Sequence, residues 1–414
     1  MPTYLADSDS EDELPPDWEE RATDDGFVFY VSHYEKRSQW THPRTGKSKR
    51  VTGDLPIDWE KQIDQESKKT IFFNKKTNQV TYNDPRLAFA VEGHPTNISE
   101  VRQRYDSSST ALQVLHGKDL NGKVAVITGA NVGIGFQTAR AFALHGADVV
   151  FACRNQQSAE DAILKISEEK PSAGRKCRFV RLDLSSLKSV RNFARELKET
   201  FRHVSYLILN AGVFALPYTV TEDGLEATFQ ICHISHYFLT QEVESLLDHA
   251  SRVIVVSSES HRFANLPTDN LTEQILSPPQ NKYNWMMAYN NVKLCNVLFA
   301  RELAKRLQNR FISVFVLHPG NMVSSDLARN WWLMRILFAI VRPFTKSLEQ
   351  ASSTTVYCAT ATELFGLTGL YFNNCFFCEP SKLAQNDNLA EQLWTLSETI
   401  CNRIINEKVN EGTF

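Results

Sequence analysis

The chain reads as an α/β protein: a doubly wound, parallel-sheet domain preceded by two small three-stranded all-β modules. Three observations lead there. From Lys123 onward, short apolar runs alternate with helical stretches. A glycine-rich turn, Thr128-Gly129-Ala130-Asn131-Val132-Gly133-Ile134-Gly135, joins the first of those runs to a helix-like segment, Phe136–His145. Ahead of it, a tryptophan-to-proline pattern of about thirty residues occurs twice.

Bulk properties bound the answer. At 414 residues the chain is too long for one ordinary core, and 42% apolar content means that much of it folds. A net charge of −3 argues against non-specific nucleic-acid binding. No apolar segment follows Met1, so a secretory leader is not expected. The longest apolar-rich stretch, Trp331–Phe344, is short, contains Arg335 and Arg342, and cannot span a bilayer unaided. The 8 cysteines are scattered, which suits free thiols in a reducing compartment. Cys375 and Cys378 form one CxxC with no second pair, so no metal site is expected.

In order, residues 1–13 are an acidic tail with too little apolar matter to bury, expected to be disordered. Residues 14–44 and 55–86 are the repeats. The first runs from Leu14 through Trp18, Phe29 and Tyr30 to Trp40 and Pro43. The second runs from Leu55 through Trp59, Phe72 and Phe73 to Tyr82 and Pro85. Chains this short make three small strands, pinned by one aromatic–proline cluster. Asp24-Asp25-Gly26 marks a hairpin turn. Residues 45–54 form a basic linker; its default reading is solvated chain, with nuclear import through Lys47–Arg50 as the alternative. Residues 87–119 read as a loose connector, 120–400 as the α/β domain and 401–414 as a tail. Within the large domain Val124–Thr128, Asp148–Ala152, Arg178–Leu182, Tyr206–Asn210, Arg252–Ser257 and Ser313–Leu317 read as buried parallel strands, with 369–372 a last one.

Trp18 and Trp40, with the aromatics and proline between and after them, resemble a WW domain across residues 14–44. The resemblance implies a structural buckle of Trp18, Tyr30 and Pro43. It also implies a ligand face of Phe29 and Trp40 with Ser38 alongside, where stacked rings accept a polyproline II ridge. Val31 and His33 match the family's pocket for the tyrosine of Pro-Pro-x-Tyr partners. Exposed rings of this kind mark an interface. The second repeat has Tyr82 where the first has Trp40, is one residue shorter, and lacks the histidine. A WW-like fold with weak or absent ligand affinity is expected there.

Strand, glycine turn and helix together seat a dinucleotide pyrophosphate on a helix N-terminus, through Thr128, Gly129, Ala130, Asn131, Val132, Gly133, Ile134 and Gly135. The spacing is GxxxGxG. Tyr289 and Lys293 lie at i, i+4, so both face one side of a helix. With Asp183-Leu184, Asn210-Ala211-Gly212, Val256-Ser257-Ser258 and His318-Pro319-Gly320, these motifs resemble the short-chain dehydrogenase/reductase family, nearest its retinol-dehydrogenase-like members, from Lys123 to about residue 380. A Rossmann-like fold follows from that resemblance. So do a catalytic Ser258, Tyr289 and Lys293, an Asp183 that contacts adenine and an Asn210 that lines the nicotinamide side. A phenol titrates near 10, and a nearby ammonium is expected to lower it. Tyr289 would exchange a proton with the substrate oxygen, Ser258 would hold that oxygen, and Lys293 would also bind the nicotinamide ribose.

After the second strand, Phe151-Ala152-Cys153-Arg154-Asn155 has no carboxylate to bind a ribose hydroxyl, and Arg154 fits a 2′-phosphate. NADP(H) is therefore favoured over NAD(H). Cys232 stands where many family members carry a catalytic asparagine, and cysteine cannot donate and accept as an amide does. Slow turnover is one outcome; compensation by a neighbour such as His233 is the other. Apolar stretches between Ser258 and Tyr289, and over Trp331–Phe344, imply a lipophilic retinoid- or steroid-like substrate. The whole combination resembles oxidoreductases that carry WW domains. It implies links to growth control, cell death and metabolism in cytoplasm, mitochondria and nucleus, and dimerisation through the Tyr289 helix. Two classes stay open: an NADP-dependent alcohol/carbonyl oxidoreductase recruited by its first module, and an adaptor whose reductase domain binds nucleotide with little turnover.

Overall fold

A computed structural model describes residues 14–412 apart from 24–25, 52–54, 57, 65–69, 93–97, 321–345 and 411. They fall into two compact units. The first holds the chain up to Val101 together with Asn309–Phe311 and Thr362–Leu367; the second holds the rest.

In the first unit, β1 (Trp18–Ala22), β2 (Val28–Ser32) and β3 (Arg37–Gln39) form an antiparallel sheet in that order. Tyr30 lies opposite Glu20 on one side and Gln39 on the other. The two-residue period of a strand sorts β2 into two faces. Val28 and Tyr30 enter a small core with Val51, and Leu14, Trp18 and Leu87 pack against it. Phe29 and Val31 take the opposite face. Val51 corrects the expectation of a solvated linker. Lys49–Arg50 is strand β4, paired with Val91–Glu92 (β8), and the Val51 N–H donates to the Gly26 carbonyl at 2.7 Å. Arg50 lies over the Phe27 ring at 4.9 Å. A module of this size lacks apolar residues enough for its own core and recruits the next one along. The second repeat forms its own three-stranded sheet, β5 (Trp59–Ile63), β6 (Thr70–Asn74) and β7 (Val80–Thr81). Asp24 and Asp25 of the expected turn lie outside the described residues; Gly26 has φ +83°.

The second unit is built on strands β9 (Val124–Thr128), β10 (Asp148–Cys153), β11 (Cys177–Arg181), β12 (Tyr206–Leu209), β13 (Arg252–Val256), β14 (Ser313–His318), β15 (Leu370–Asn373) and β16 (Phe376–Phe377). Among the described residues their order is β11-β10-β9-β12-β13-β14-β15-β16. All pairs are parallel except the last. The order reverses at β9, so a crevice opens at its carboxyl end, between β9 and β12. Val124–Thr128 and Arg252–Val256 are buried on both faces, which is why they read as unbroken apolar runs.

The longer helices of this unit include α1 (Gly133–Leu144), α2 (Leu187–Thr200), α3 (Ser235–Val243), α4 (Trp285–Leu307) and α5 (Asp387–Asn410). On α2 the buried residues are Leu187, Val190, Phe193, Ala194 and Leu197, a three-and-four spacing that makes one apolar stripe. The same spacing runs through α5 to Cys401 and Ile404, both buried. A boundary at residue 400 therefore cuts a helix, and the large domain extends into the expected tail. The connector is also more ordered than expected. Ala111–Val114 is a helical turn closed by a Thr110/Gln113 capping box, and Val114 and Leu115 are buried. No helix among the described residues is long and apolar enough to cross a membrane.

Candidate functional site

The glycine turn occupies the switch point. Thr128 closes β9, and its buried hydroxyl accepts the N–H groups of Asn210 and Ala211, each at 2.9 Å. The Asn210 amide in turn donates to the Thr128 carbonyl at 3.0 Å. These bonds lock the ends of β9 and β12 together. Gly129 and Gly133 have φ of +68° and +61°, a region a side chain resists. A Cβ on Gly135 would lie 2.2 Å from the Gly129 carbonyl oxygen and 2.6 Å from the Asn210 amide. Ala130 is buried, and Asn131 donates to the Ser158 hydroxyl at 2.9 Å. Val132 stands at the N-cap of α1, where it has no side-chain group to cap the first-turn N–H groups. The turn continues through Gly133 and Ile134 into α1. A tight backbone cradle leading to an uncapped helix start fits a pyrophosphate.

Tyr289 and Lys293 sit one turn apart on α4, which Asn284 caps by accepting from the Met286 and Met287 N–H groups. Lys293 Nζ donates to the carbonyl of Val256, at the end of β13, at 3.1 Å, and lies 5.6 Å from the Tyr289 ring centre. Serines 257 and 258 part company here. The buried Ser257 hydroxyl donates to the Lys293 carbonyl at 2.7 Å and braces the helix. The Ser258 hydroxyl accepts the Ser260 N–H at 3.2 Å and lies on the Tyr289 side, where it favours the phenolate. His261 supports that serine. Its Nε2 accepts the Ser381 N–H at 3.0 Å, so the remaining ring proton, on Nδ1, donates to the Ser258 carbonyl at 2.8 Å.

The electrostatics differ from the expectation of a lowered phenol. Burial pushes Tyr289 above the usual tyrosine range, the Cys232 thiol adds to this, and only the nearby Ser258 hydroxyl opposes it. Burial also lowers Lys293. Tyr289 itself is half-buried, and desolvation of the charged form raises its titration instead of lowering it.

Cys232 is fully buried in a π-helical turn, Gln230–Ile234, that runs into α3. Such turns gather at functional sites. Its sulfur accepts the Val213 N–H at 3.3 Å. A Cβ on Gly212 would be 3.6 Å from both this sulfur and Lys293 Nζ, so thiol and ammonium flank the same backbone. His233, the neighbour considered as a substitute for the amide, is engaged elsewhere. It is buried, stacked with Phe229, and bonded through Nε2 to the Ser397 hydroxyl of α5 at 2.9 Å; burial pushes it down to about 3.

Arg154 follows β10 directly and is exposed at the carboxyl edge. Asp183 accepts both the N–H and the hydroxyl of Ser185, which holds its loop after β11. Sequence reasoning missed Phe214, whose ring stands edge-on to Tyr289 at 4.7 Å and to Trp285 at 5.4 Å. Only the chain's return past β12 brings it there. The expected flap, Trp331–Phe344, lies outside the described residues. Among the described residues no cluster could hold a metal ion, and Cys375 and Cys378 are free thiols.

In the first unit, Phe29 and Trp40 meet edge-on at 5.8 Å, and Ser38 pairs with Val31 across the strands. His33 Nε2 is 2.8 Å from a Glu19 carboxylate oxygen, a partner that the sequence did not suggest. The rings are less open than expected. Phe29 is 8% exposed, Phe311 lies 5.8 Å from it, and Trp40 meets Phe311 at 4.5 Å and Phe365 at 4.4 Å. Phe311 and Phe365 belong to this same unit although they lie far along the chain. On the second repeat, Tyr82 is 60% exposed.

Known families and structures agree with this architecture. The short chain dehydrogenase model matches residues 123–266 and the WW domain model residues 14–43. Retinol dehydrogenase 12 of Mus musculus is 40% identical over 67% of this chain and 85% of its own. A crystal structure of an uncharacterized protein from Mycobacterium paratuberculosis covers 72% of this chain and 97% of its own, at 27% identity and a TM-score of 0.55. The WW domain-containing oxidoreductase of Drosophila melanogaster is 64% identical over 98% of this chain and 99% of its own. With that similarity along nearly its whole length, the chain belongs to the family of WW domain-containing oxidoreductases.

Proposed function

We propose that this oxidoreductase uses NADP(H) to interconvert a lipophilic alcohol and its carbonyl, and that its first module recruits it to Pro-Pro-x-Tyr partners. The observation that carries the reading is the placement of Tyr289. Its ring stands against the Phe214 ring, with Lys293 and the Ser258 hydroxyl near it. The nicotinamide would supply or take the hydride. Thr128 to Gly135 would hold its pyrophosphate, Asn210 would border the ring, and Lys293 would bind the ribose. Tyr289 would donate its proton to a carbonyl oxygen held by Ser258 in reduction, and would take a proton from the alcohol in oxidation. The Phe214 and Trp285 rings give the substrate side an apolar wall, and the likeness to a retinol dehydrogenase supports the same class. Exposed Arg154, with no carboxylate beside it in 151–155, supports NADP(H) over NAD(H).

A second reading, an adaptor whose reductase domain binds nucleotide and turns over little, draws on Cys232, which offers no amide. Direct titration with NADPH and NADH separates the two only in part, so it is paired with turnover on lipophilic aldehydes. Preferred NADPH binding with turnover supports the enzyme. Binding without turnover across that series supports the adaptor, and no binding of either nucleotide overturns both.

A further inference from the structure

We propose that His236 is a positioning residue that ties the nucleotide turn to the backbone beside Lys293; the role rests on the reductase reading above. The argument is one of hydrogen-bond capacity. A threonine hydroxyl has two lone pairs and one proton. Both lone pairs of Thr128 are taken, by the Asn210 and Ala211 N–H groups at 2.9 Å each. Its proton has two acceptors in reach, His236 Nε2 at 3.0 Å and the Ile208 carbonyl at 3.4 Å, and the nearer is the imidazole. A protonated Nε2 would face an oxygen with no lone pair to offer. Nε2 is therefore bare, and the ring proton sits on Nδ1, 3.3 Å from the Cys232 carbonyl to which it donates.

The result is a continuous chain: Asn210 and Ala211 N–H to Thr128, the Thr128 hydroxyl to His236, and His236 to the Cys232 carbonyl. Thr128 and His236 are both buried, so water cannot substitute for either bond. Burial pushes His236 down to about 4, Lys293 adds to this, and the bond to Cys232 opposes it; the ring stays neutral at neutral pH. One end of the chain sets the start of the glycine turn. The other holds the π-helical turn whose thiol lies alongside Lys293, at the position that lacks an amide side chain. His236 lies outside the glycine-turn, Asn-Ala-Gly, serine and Tyr-Lys motifs; the π-helical turn and the end of β9 bring it into place.

Two substitutions divide the two bonds. In His236→Asn the side-chain amide N–H falls near Nδ1, keeping the Cys232 bond and losing Thr128. In His236→Gln the side-chain carbonyl oxygen falls near Nε2, keeping Thr128 and losing Cys232. The full chain is used throughout, with three readouts: nitrogen NMR of labelled histidine, NADPH titration, and amide hydrogen exchange. Expected are an Nδ1–H tautomer for His236 in the unmodified chain at neutral pH and a dissociation constant for NADPH about tenfold higher in His236→Asn, the scale of one lost hydrogen bond. His236→Gln should bind within about twofold of the unmodified chain, with faster exchange over residues 230–236. An Nε2–H tautomer or an imidazolium at neutral pH overturns the chain of bonds, whether or not either variant folds. Unchanged NADPH binding in His236→Asn overturns the positioning role. If the unmodified chain binds no NADPH, the reductase reading falls and the positioning role with it, while the tautomer still decides the hydrogen bonds.

Discussion

The nucleotide turn and the aromatic face of the first module recognise ligands with opposite materials. The turn is a backbone surface. Gly129, Gly133 and Gly135 keep side chains away, and bonds between main-chain groups and Thr128 set its shape. The face on β2 and β3 is a side-chain surface, made by Phe29, Val31, Ser38 and Trp40 on a sheet of three short strands. A backbone surface is harmed by adding atoms, because there is no room for them. A side-chain surface is harmed by removing atoms, because the ring area is the binding energy.

That contrast can be broken in several ways. The largest effect should come from Tyr289→Phe, which removes one oxygen and touches neither surface. Turnover should fall by about 10²–10⁴-fold, the range for losing a general acid, with NADPH binding spared. Equal turnover would remove Tyr289 from the mechanism. Gly135→Ala adds one carbon, and with a main-chain oxygen 2.2 Å away the turn must shift. NADPH affinity should drop by at least about tenfold, the equivalent of about 1.4 kcal/mol, as read by titration; unchanged affinity would show that the turn yields freely. Trp40→Ala removes ring area and should weaken binding of a Pro-Pro-x-Tyr peptide by about 2 kcal/mol, roughly thirtyfold. Tyr82→Ala in the second repeat should leave it nearly unchanged, and the reverse ranking would exchange the roles of the modules. Arg154→Ala should cut the preference for NADPH over NADH by about tenfold, as one charge-assisted contact is lost. Phe365→Ala, which uncovers part of Trp40, should tighten peptide binding only a few-fold, about 0.5–1 kcal/mol on the scale of one aromatic pair. Weaker binding there would make Phe365 part of the ligand face instead of its cover.

Legibility in the sequence follows the range of the interactions. The strands of the large domain were readable because each is a short apolar run, and the glycine turn because only glycine tolerates its φ values and close approaches. Tyr289 and Lys293 were readable because helical spacing alone puts them on one face. What was misjudged depends on partners distant in sequence. Val51 looks like linker until β2 is seen to need it. Cys401 and Ile404 look like tail until α5 packs against α4. His233 looks available until Ser397 and Phe229 enclose it. The phenol of Tyr289 was expected to be lowered by Lys293, yet burial, which no local pattern reports, governs it.

By itself, then, the sequence determined the order of modules, the parallel sheet, the nucleotide cradle and the residue types available for proton transfer. These rest on backbone preference and on periodicities of two and 3.6, which act within a few residues. Tertiary structure decided which serine of the pair faces Tyr289, what covers Trp40, that desolvation raises the phenol, and that His236 bridges Thr128 to Cys232. Those outcomes depend on desolvation and on hydrogen-bond partners brought together from separate strands and helices, and they exist only once the chain has closed on itself.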